Sequence, residues 1–229
     1  FVREMSSHTG AALMWLGARG GVESGGFVGD GRLIARTGRG EAIIGEVEKM
    51  SLIGEHNHCN ALAAGLSGLL MGVPAENVKD KVESFKGYPH RIEKVAEIGG
   101  VVYINDSKST NTDSTLAAIG ALCARPLILI LGGDDKGLDY AQLYDSVKRN
   151  VKRVVALGPG LRRMAGELKD AGFDAVDAAD DMEGAVKVAS ENARPGDVVL
   201  LSPASSSFDI FKNYEHRGES FRNAVKSLA

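Results

Sequence analysis

The chain has 229 residues, of which 44% are hydrophobic and 25% charged, so it can bury the core of one large domain or of two small ones. Its formal charge of -3 excludes a general electrostatic attraction to nucleic acid or to anionic membranes. Its two cysteines lie far apart, and no apolar run approaches the ~20 residues that a membrane helix requires. We therefore expect a cytoplasmic protein that binds neither nucleic acid nor membranes.

The first third of the chain predicts a small sheet followed by two helices. Residues 10–53 are rich in glycine and break into short apolar runs, and the Gly-Asp-Gly at 29–31 is a hairpin signal, so we expect an antiparallel sheet. Residues 55–72 carry apolar side chains at helical spacing, and a second helix begins at the proline of 74–87. The chain opens at Phe1 without an initiator methionine or a capping signal, which we interpret as a fragment of a longer polypeptide.

The remainder of the chain alternates strands with helices. The segment "GYPHRIEKV", with Pro89, predicts a linker, and we place a domain boundary between residues 88 and 89. The predicted strands are "GVVYIND", "RPLILILGG", "VKRVVALG", "FDAVDA" and "GDVVLLSP", and the predicted helices lie near 112–123, 139–149, 160–171, 180–193 and 215–228. The strands are almost continuously apolar, as in a parallel sheet covered by helices on both faces. We expect an α/β fold with a doubly wound, mostly parallel sheet.

Polar residues follow three of these strands where each one ends. They occupy 105–111, 132–137 and 202–207, and they include two lysines, Lys108 and Lys136. In an open parallel sheet, ligands bind at the carboxyl ends of the strands, where these loops would meet. The pattern indicates a site for a small anion, with the two lysines as point charges on a carboxylate or phosphate.

Plain structural explanations compete with each of these features. A polar residue after a strand is often only a helix cap. "GGDDKG" is not a P-loop, because no Ser or Thr follows its lysine, and no complete P-loop occurs in the chain. His56 and His58 lie two residues apart on a predicted helix and point to opposite sides, so we expect no shared metal. Asn57 and Asn60 share a helix face and could reach one ligand, although an N-cap explains Asn57 equally well.

Five segments together resemble the second half of a Mur ligase, a family of peptidoglycan synthesis. They are, in chain order, "GEHNHCNALAA", "YPHRIE", "INDSKSTN", "LGGDDKGLD" and "LLSPASSSFDIFKNYEHRG", and the resemblance spans about residues 50–229. The Asp-Ser-Lys-x-Thr-Asn element points to the member that adds D-glutamate. Ser205 and Ser206 depart from the family, which typically has Ala or Cys there, and Ser109 stands where the family often has Ala.

The resemblance implies a domain organisation and a reaction. Residues 1–88 would be the carboxyl-terminal part of a central ATP-binding domain, and 89–229 a Rossmann-like domain for the incoming amino acid. The P-loop and the Mg²⁺ ligands would lie upstream of Phe1, so this chain alone should be inactive. The intact monomeric enzyme would use ATP to activate UDP-N-acetylmuramoyl-L-alanine as an acyl phosphate, which the D-glutamate amine then attacks.

The resemblance also implies roles for individual residues. Lys108 and Arg91 are the candidate catalytic residues. The residues expected to hold or line the D-glutamate site are Lys108, Thr110, Lys136, Ser207 and Tyr214. The residues expected to contact ATP are Asn57, Asn60, Arg91 and Asp106, with Asn60 toward the base, Arg91 toward the phosphates and Asp106 toward the ribose.

Two other readings of the sequence remain open. One is a different ligase of the same fold, either a folylpolyglutamate synthase or a Mur ligase that adds L-lysine or diaminopimelate. The other is a noncatalytic Rossmann-like module that binds a nucleotide or an anion. A pocket with two lysines should repel a cationic amino-acid side chain, which favours glutamate within the ligase class.

Overall fold

A computed structural model of the protein describes residues 4, 8–17, 20–133, 140–158 and 161–228, without the side chains of residues 161 and 162. The chain divides into two compact units, residues 1–86 and 87–229. Within the described ranges, no helix is both long enough and apolar enough to cross a membrane.

The described residues of the first unit include a four-stranded sheet and the two helices that pack on it. The strands are β1 Trp15–Gly17, β2 Gly25–Gly29, β3 Arg32–Thr37 and β4 Gly40–Glu46, paired in that order, and a 3₁₀ turn covers Val47–Lys49. The helices are α1 Glu55–Leu70 and α2 Ala75–Ser84. Helix α1 contacts β2 and β3, and α2 contacts β4. The shared core includes Leu33, Ile44, Leu62 and Leu66.

One strand of this sheet differs from the expected antiparallel pattern. β1 runs parallel to β2, whereas β2, β3 and β4 are antiparallel. A two-residue Gly-containing turn separates β2 from β3, but no such turn separates β1 from β2, so the hairpin signals described only part of the sheet.

The second unit is built on a six-stranded sheet. Its strands are β5 Glu93–Ile98, β6 Val101–Asn105, β7 Leu127–Gly132, β8 Val151–Leu157, β9 Val176–Ala179 and β10 Val198–Leu201. They lie in the order β5-β6-β10-β7-β8-β9, and every neighbouring pair is parallel except β5 with β6. All residues of β6, β7 and β10 are buried, so both faces of the central sheet are covered. The predicted doubly wound α/β fold is confirmed.

Five helices cover this sheet, and all five were expected from the sequence. They are α3 Thr112–Leu122, α4 Ala141–Asn150, α5 Leu161–Asp170, α6 Met182–Asn192 and α7 Tyr214–Lys226. Helices α3 and α4 contact each other, as do α6 and α7. Asn111, Asp181 and Asn213 cap the starts of α3, α6 and α7, because their side-chain oxygens accept hydrogen bonds from backbone N–H groups three residues later.

The expected linker "GYPHRIEKV" proved to be only partly a linker. Its last three residues begin β5, the antiparallel edge strand. The missed signal is Gly99-Gly100, the two residues between β5 and β6, which have φ angles of 57° and 78°. A Gly-Gly pair with positive φ at both positions is a tight hairpin turn.

Candidate functional site

The loops after β6, β7 and β10 meet at one edge of the sheet because these three strands are neighbours. Backbone hydrogen bonds join the loops. Ala204 N donates to Ser109 O at 3.1 Å, and Gly132 N donates to Pro203 O at 3.1 Å. Gly133 has φ 137°, and a Cβ at that position would overlap the Ser206 carbonyl oxygen. Only glycine permits this close approach.

Arg217, on α7, forms hydrogen bonds to all three of these loops. It is fully buried, and its guanidinium donates to the carbonyl oxygens of Gly132, Ser205, Ser206 and Ser107 at 2.9–3.1 Å and to Ser107 Oγ at 3.0 Å. Burial lowers the pKa of Arg217 to about 10, so the group remains a cation at neutral pH. One side chain thus joins all three strand-end loops, in addition to the backbone hydrogen bonds between them.

Lys108 lies next to Tyr214 at this edge. The Lys108 ammonium is 3.7 Å from the centroid of the Tyr214 ring, and both residues are half-buried. Ser107 Oγ donates to the Tyr214 carbonyl at 2.8 Å, which ties the start of α7 to the Lys108 loop. In the part of the chain that the structure describes, Lys108 forms no ion pair, although its charge contributes, after a hydrogen bond with the Tyr214 side chain, to lowering the pKa of Glu215, next to Tyr214.

The other residues expected at the amino-acid site are described to different extents. Thr110 is half-buried on the loop of Lys108, and Ser207 is buried on the loop after β10, where its carbonyl accepts from Phe211 N at 3.0 Å. Lys136 lies outside the described residues. The structure therefore brings Lys108 and Tyr214 into contact and places Thr110 and Ser207 on loops joined to theirs.

Asp106 is enclosed by hydrogen-bond donors. Its side chain is almost fully buried; Oδ1 accepts from Ile92 N at 3.1 Å, and Oδ2 accepts from Ser109 Oγ at 2.5 Å and from Ser202 Oγ at 2.8 Å. Burial raises the pKa of Asp106 to about 6, although the three hydrogen bonds and the nearby Arg91 act in the opposite direction.

This raised pKa gives a prediction for stability against pH. Because the folded protein binds the Asp106 proton more tightly than the unfolded chain, the stability of the folded state should fall as pH rises from about 4 to about 6. The shift corresponds to about 3 kcal/mol. Denaturant titrations of the wild type and of Asp106→Asn across this pH range measure the effect. As pH rises from about 4 to about 6, the free energy of unfolding of the variant should increase by about that amount relative to the wild type. A difference that does not change with pH would contradict the prediction.

Arg91 lies on a backbone segment that is held in an unusual conformation. His90 and Ile92, its two neighbours, have φ angles of 64° and 43°. The His90 carbonyl accepts from Lys108 N at 3.0 Å, and the buried His90 ring contacts Asn105 Nδ2 through Nδ1 at 3.0 Å. The Arg91 side chain is exposed, so this backbone segment presents a cation to solvent.

Asn57 and Asn60 belong to the first unit and contact each other on α1. Asn60 Nδ2 donates to Asn57 Oδ1 at 3.4 Å, so the predicted shared face is confirmed. The alternative role of Asn57 as helix cap is wrong, because Gly54 is the N-cap residue and makes no side-chain cap. Asn57 instead donates through Nδ2 to the Ile53 carbonyl at 2.7 Å.

Sequence reasoning assigned no role to three groups that shape this edge. Arg217 and His90 are part of the motifs quoted above. The residues next to them in the sequence do not indicate that the Arg217 guanidinium and the His90 imidazole are buried. Asp209 is the third: both of its carboxylate oxygens are buried and have no hydrogen-bond partner among the described residues, and a Cβ at Gly158 would lie 2.9 Å from Oδ2. Such contacts between distant segments leave no periodic signal in the sequence.

Comparison with known proteins identifies relatives of the whole chain. Residues 90–205 match the family described as Mur ligase, glutamate ligase domain. The chain is 40% identical over 227 residues to a UDP-N-acetylmuramoylalanine–D-glutamate ligase of Salinibacter ruber, covering 98% of this chain and 48% of that protein. It is 39% identical over 226 residues to the ligase of the same name from Koribacter versatilis, covering 99% and 49%. The chain thus spans about half the length of these relatives.

Solved structures with the same fold are more distant. MurF from Acinetobacter baumannii matches with a TM-score of 0.66 and 18% identity, covering 90% of this chain and 46% of that one. FolC from E. coli, solved in complex with ADP, matches with a TM-score of 0.65 and 17% identity, covering 99% and 50%. At these identities the likeness concerns the fold alone.

Proposed function

Because the chain belongs to the Mur ligase family through its glutamate ligase domain, we propose that it is part of an ATP-dependent ligase that joins D-glutamate to UDP-N-acetylmuramoyl-L-alanine. The observation that carries the proposal is the Lys108 ammonium, held against the Tyr214 ring at the loop edge and without an ion pair among the described residues. A cation at the carboxyl edge of a parallel sheet suits an anionic substrate.

In this proposal unit 2 binds the amino acid. Lys108 and Lys136 pair with its two carboxylates, Thr110 and Ser207 donate hydrogen bonds to them, and Tyr214 forms one wall of the pocket. Lysine serves here as a point charge, which matches a carboxylate without demanding bidentate geometry. The carboxylates are thereby held while the amine remains unpaired and able to react.

ATP contacts are proposed for both units. Asn57 and Asn60, in the unit proposed to be the tail of the central ATP-binding domain, would contact ATP, with Asn60 toward the base. The exposed Arg91 guanidinium is suited to the phosphates. The ribose contact of Asp106 stays a prediction, and the enclosed carboxylate makes it hard to form. Among the described residues, no three side chains of the types His, Cys, Asp and Glu gather as metal ligands.

The proposed chemistry is amide-bond formation through an acyl phosphate. ATP phosphorylates the carboxylate of UDP-N-acetylmuramoyl-L-alanine, the D-glutamate amine attacks the carbonyl carbon, and phosphate leaves as the tetrahedral intermediate collapses. Negative charge develops on the carbonyl oxygen and on the phosphate in this step, so nearby cations such as Arg91 and Lys108 stabilise it. We place this enzyme in the cytoplasm as a monomer.

The test is phosphate release by the complete polypeptide that carries this sequence. The assay contains ATP, Mg²⁺ and UDP-N-acetylmuramoyl-L-alanine, and it compares D-glutamate with L-glutamate, L-lysine and diaminopimelate. Release that depends on D-glutamate alone is the expected result. Release with a cationic amino acid would overturn the roles of Lys108 and Lys136, and no release with any of them would favour a noncatalytic binding module.

Replacement of Arg91 by alanine should raise the Michaelis constant for ATP. We expect an increase of about tenfold or more, because a charge-assisted hydrogen bond to phosphate contributes roughly 1.5–3 kcal/mol. Steady-state kinetics with varied ATP measures this change. Arg149→Ala is the matched control, since Arg149 is an exposed arginine at the end of α4, and it should leave the constant unchanged. Equal constants for wild type and Arg91→Ala would show that Arg91 is not a phosphate ligand.

A further inference from the structure

Strand β4 forms one edge of the sheet in the first unit, and part of that edge has no partner among the described residues. Thr37 and Gly40 flank the two-residue turn between β3 and β4, so they form the first hydrogen-bonded pair of the ladder. Pairs alternate along an antiparallel ladder, so the N–H and C=O groups of Glu41 and Ile43 point away from β3. Neither backbone is bonded to another described segment.

Helix α2 covers this edge only at the other end of the strand. Glu46 N donates to Glu83 Oε1 at 3.0 Å, so a side chain of α2 caps the N–H there. A Cβ at Gly45 would lie 2.8 Å from Val82 Cγ1, which shows how closely the helix packs against that part of β4. Edge strands with unpaired backbone groups are templates for pairing with another chain.

A cavity of about 280 Å³ lies beside the unpaired part of β4. Ala42 forms one apolar side of it, and Leu69, Val73 and Pro74, from the turn between α1 and α2, form the other. Pockets for small molecules have volumes of about 300–1,000 Å³, so this cavity lies just below that range. Its size and lining suit one aliphatic side chain.

Exposed apolar side chains surround the cavity. Leu70 and Met71, which follow Leu69 in the turn, are 53% and 86% exposed, and Val73 and Ile43 are 41% and 43% exposed. Single exposed apolar residues are ordinary, but a group of them beside an unpaired strand edge marks an interaction surface. We call residues 40–43 of β4 together with residues 69–74 of the turn the edge cleft.

The charges at the edge cleft favour an acidic partner. Two charged residues line the cavity, Arg39 and Glu41. Glu41 already pairs with Arg36, whose Nη2 and Nε lie 2.5 Å and 2.6 Å from its Oε1. Arg39, at the tip of the hairpin, is exposed and forms no ion pair among the described residues. A carboxylate is the natural partner for such a guanidinium.

We propose that the edge cleft binds an extended peptide segment of a partner protein, which joins β4 as an additional strand. Backbone hydrogen bonds to Glu41 and Ile43 set the register, an aliphatic side chain of the peptide enters the cavity, and a nearby Asp or Glu pairs with Arg39. The cleft is separate from the proposed ATP contacts. Leu69 is nine residues beyond Asn60 on α1, which is about 14 Å along the helix axis.

The test uses the complete polypeptide that carries this sequence. The probe is a phage-displayed library of random linear peptides, and the strongest binder is then synthesised and titrated by fluorescence anisotropy. We expect enriched sequences with Asp or Glu close to an aliphatic residue. Amide hydrogen exchange at Glu41 and Ile43 should be fast in the free polypeptide and slow when the peptide is bound.

Ile43→Pro tests the backbone contacts. Proline removes the outward N–H but no bond to β3, and edge strands tolerate proline at such positions. Ile43→Thr is the matched control, because threonine keeps both the N–H and a β-branched side chain. Since one hydrogen bond and the fit around it are lost, Ile43→Pro should weaken peptide binding by about tenfold or more, and Ile43→Thr by no more than about twofold.

The contribution of Arg39 is measured with a pair of peptides. Arg39→Gln should weaken binding of the acidic peptide by about threefold, the usual scale of an exposed ion pair. It should not change binding of the same peptide with Asn or Gln in place of its acidic residue, because the two substitutions remove one interaction. Arg32→Gln is the control, since Arg32 is exposed at the start of β3, away from the turn.

Four outcomes would overturn the inference. Equal affinities of Ile43→Pro and Ile43→Thr would place the peptide elsewhere, and so would a library that yields no binder sensitive to Ile43→Pro. Slow exchange of the Glu41 and Ile43 amides before peptide is added would mean that the polypeptide itself covers this edge. Dimerisation that Ile43→Pro abolishes would assign the edge to a second copy of the chain.

A second variant serves if thermal unfolding shows that Ile43→Pro does not fold. Val73→Glu places a charge in the wall of the cavity from a partly exposed position on the turn, so it leaves the sheet intact. It should weaken peptide binding by about tenfold, because a charge cannot enter apolar surroundings without cost. Unchanged binding to Val73→Glu would count against the inference in the same way.

Discussion

Arg217→Met is expected to destabilise the second unit by about 3–5 kcal/mol, because it removes a buried guanidinium that donates to all three strand-end loops. Methionine fills part of the space but leaves buried carbonyl oxygens of Gly132, Ser107, Ser205 and Ser206 without the guanidinium, and each unsatisfied buried group costs about 1–3 kcal/mol. A domain at the low end of the usual stability range has a free energy of unfolding of about 5 kcal/mol, so the loss should exceed half of that value.

Amide hydrogen exchange in β7 and β10 measures this loss, since it reports the second unit separately from the first. Arg222→Met is the matched control on the same helix. Arg222 forms a partly exposed ion pair with Glu93 at 2.5 Å, and such pairs contribute about 1 kcal/mol or less. Similar losses for the two variants would mean that the buried network has no special role in stability.

Lys108→Met should reduce kcat/KM for D-glutamate by roughly a hundredfold to a thousandfold in the complete enzyme. Methionine retains most of the side chain that covers Tyr214 but removes the charge. The loss therefore measures the interaction of that charge with a D-glutamate carboxylate and with the negative charge that develops during the reaction. Stability should change by only about 0.5–1 kcal/mol, the contribution of a cation–π contact at a partly exposed site.

Kinetics with varied D-glutamate, alongside thermal unfolding, separates these two effects. Lys187→Met is the matched control, because Lys187 is exposed on α6. If Lys108→Met had wild-type kcat/KM, the amino acid would have to bind elsewhere, and Lys108 would only pack against Tyr214.

The parts of the fold that could be predicted are those with a local sequence pattern, either a continuous apolar run or apolar residues at helical spacing. β7 and β10 are continuously apolar, and α3 through α7 have helical spacing with recognisable caps at Asn111, Asp181 and Asn213, so their existence follows from local chemistry. β5 was missed because Pro89 dominated the interpretation of its segment, although Gly99-Gly100 marked the hairpin.

The sequence predicts which charged residues lie at the candidate site, but not the buried contacts that hold the surrounding loops in place. Polar loops after neighbouring parallel strands must share an edge, which is enough to bring Lys108 near the β10 loop. The burial of Arg217, the enclosure of Asp106 and the left-handed backbone at Ile92 each depend on contacts between residues far apart in the chain. Such contacts have no periodicity, so only the three-dimensional structure reveals them.

The position of Arg217 after all six strands of the sheet determines when the loop edge can be completed during synthesis. The strands that carry the loops are all translated before α7, but Ser107, Gly132 and Ser205 cannot be held together until that helix has left the ribosome and docked. A nascent chain that has not reached residue 217 would carry a sheet whose loop edge has exposed, unpaired carbonyl groups. The loop edge is thus completed only after the whole sheet has been translated and α7 has docked on it.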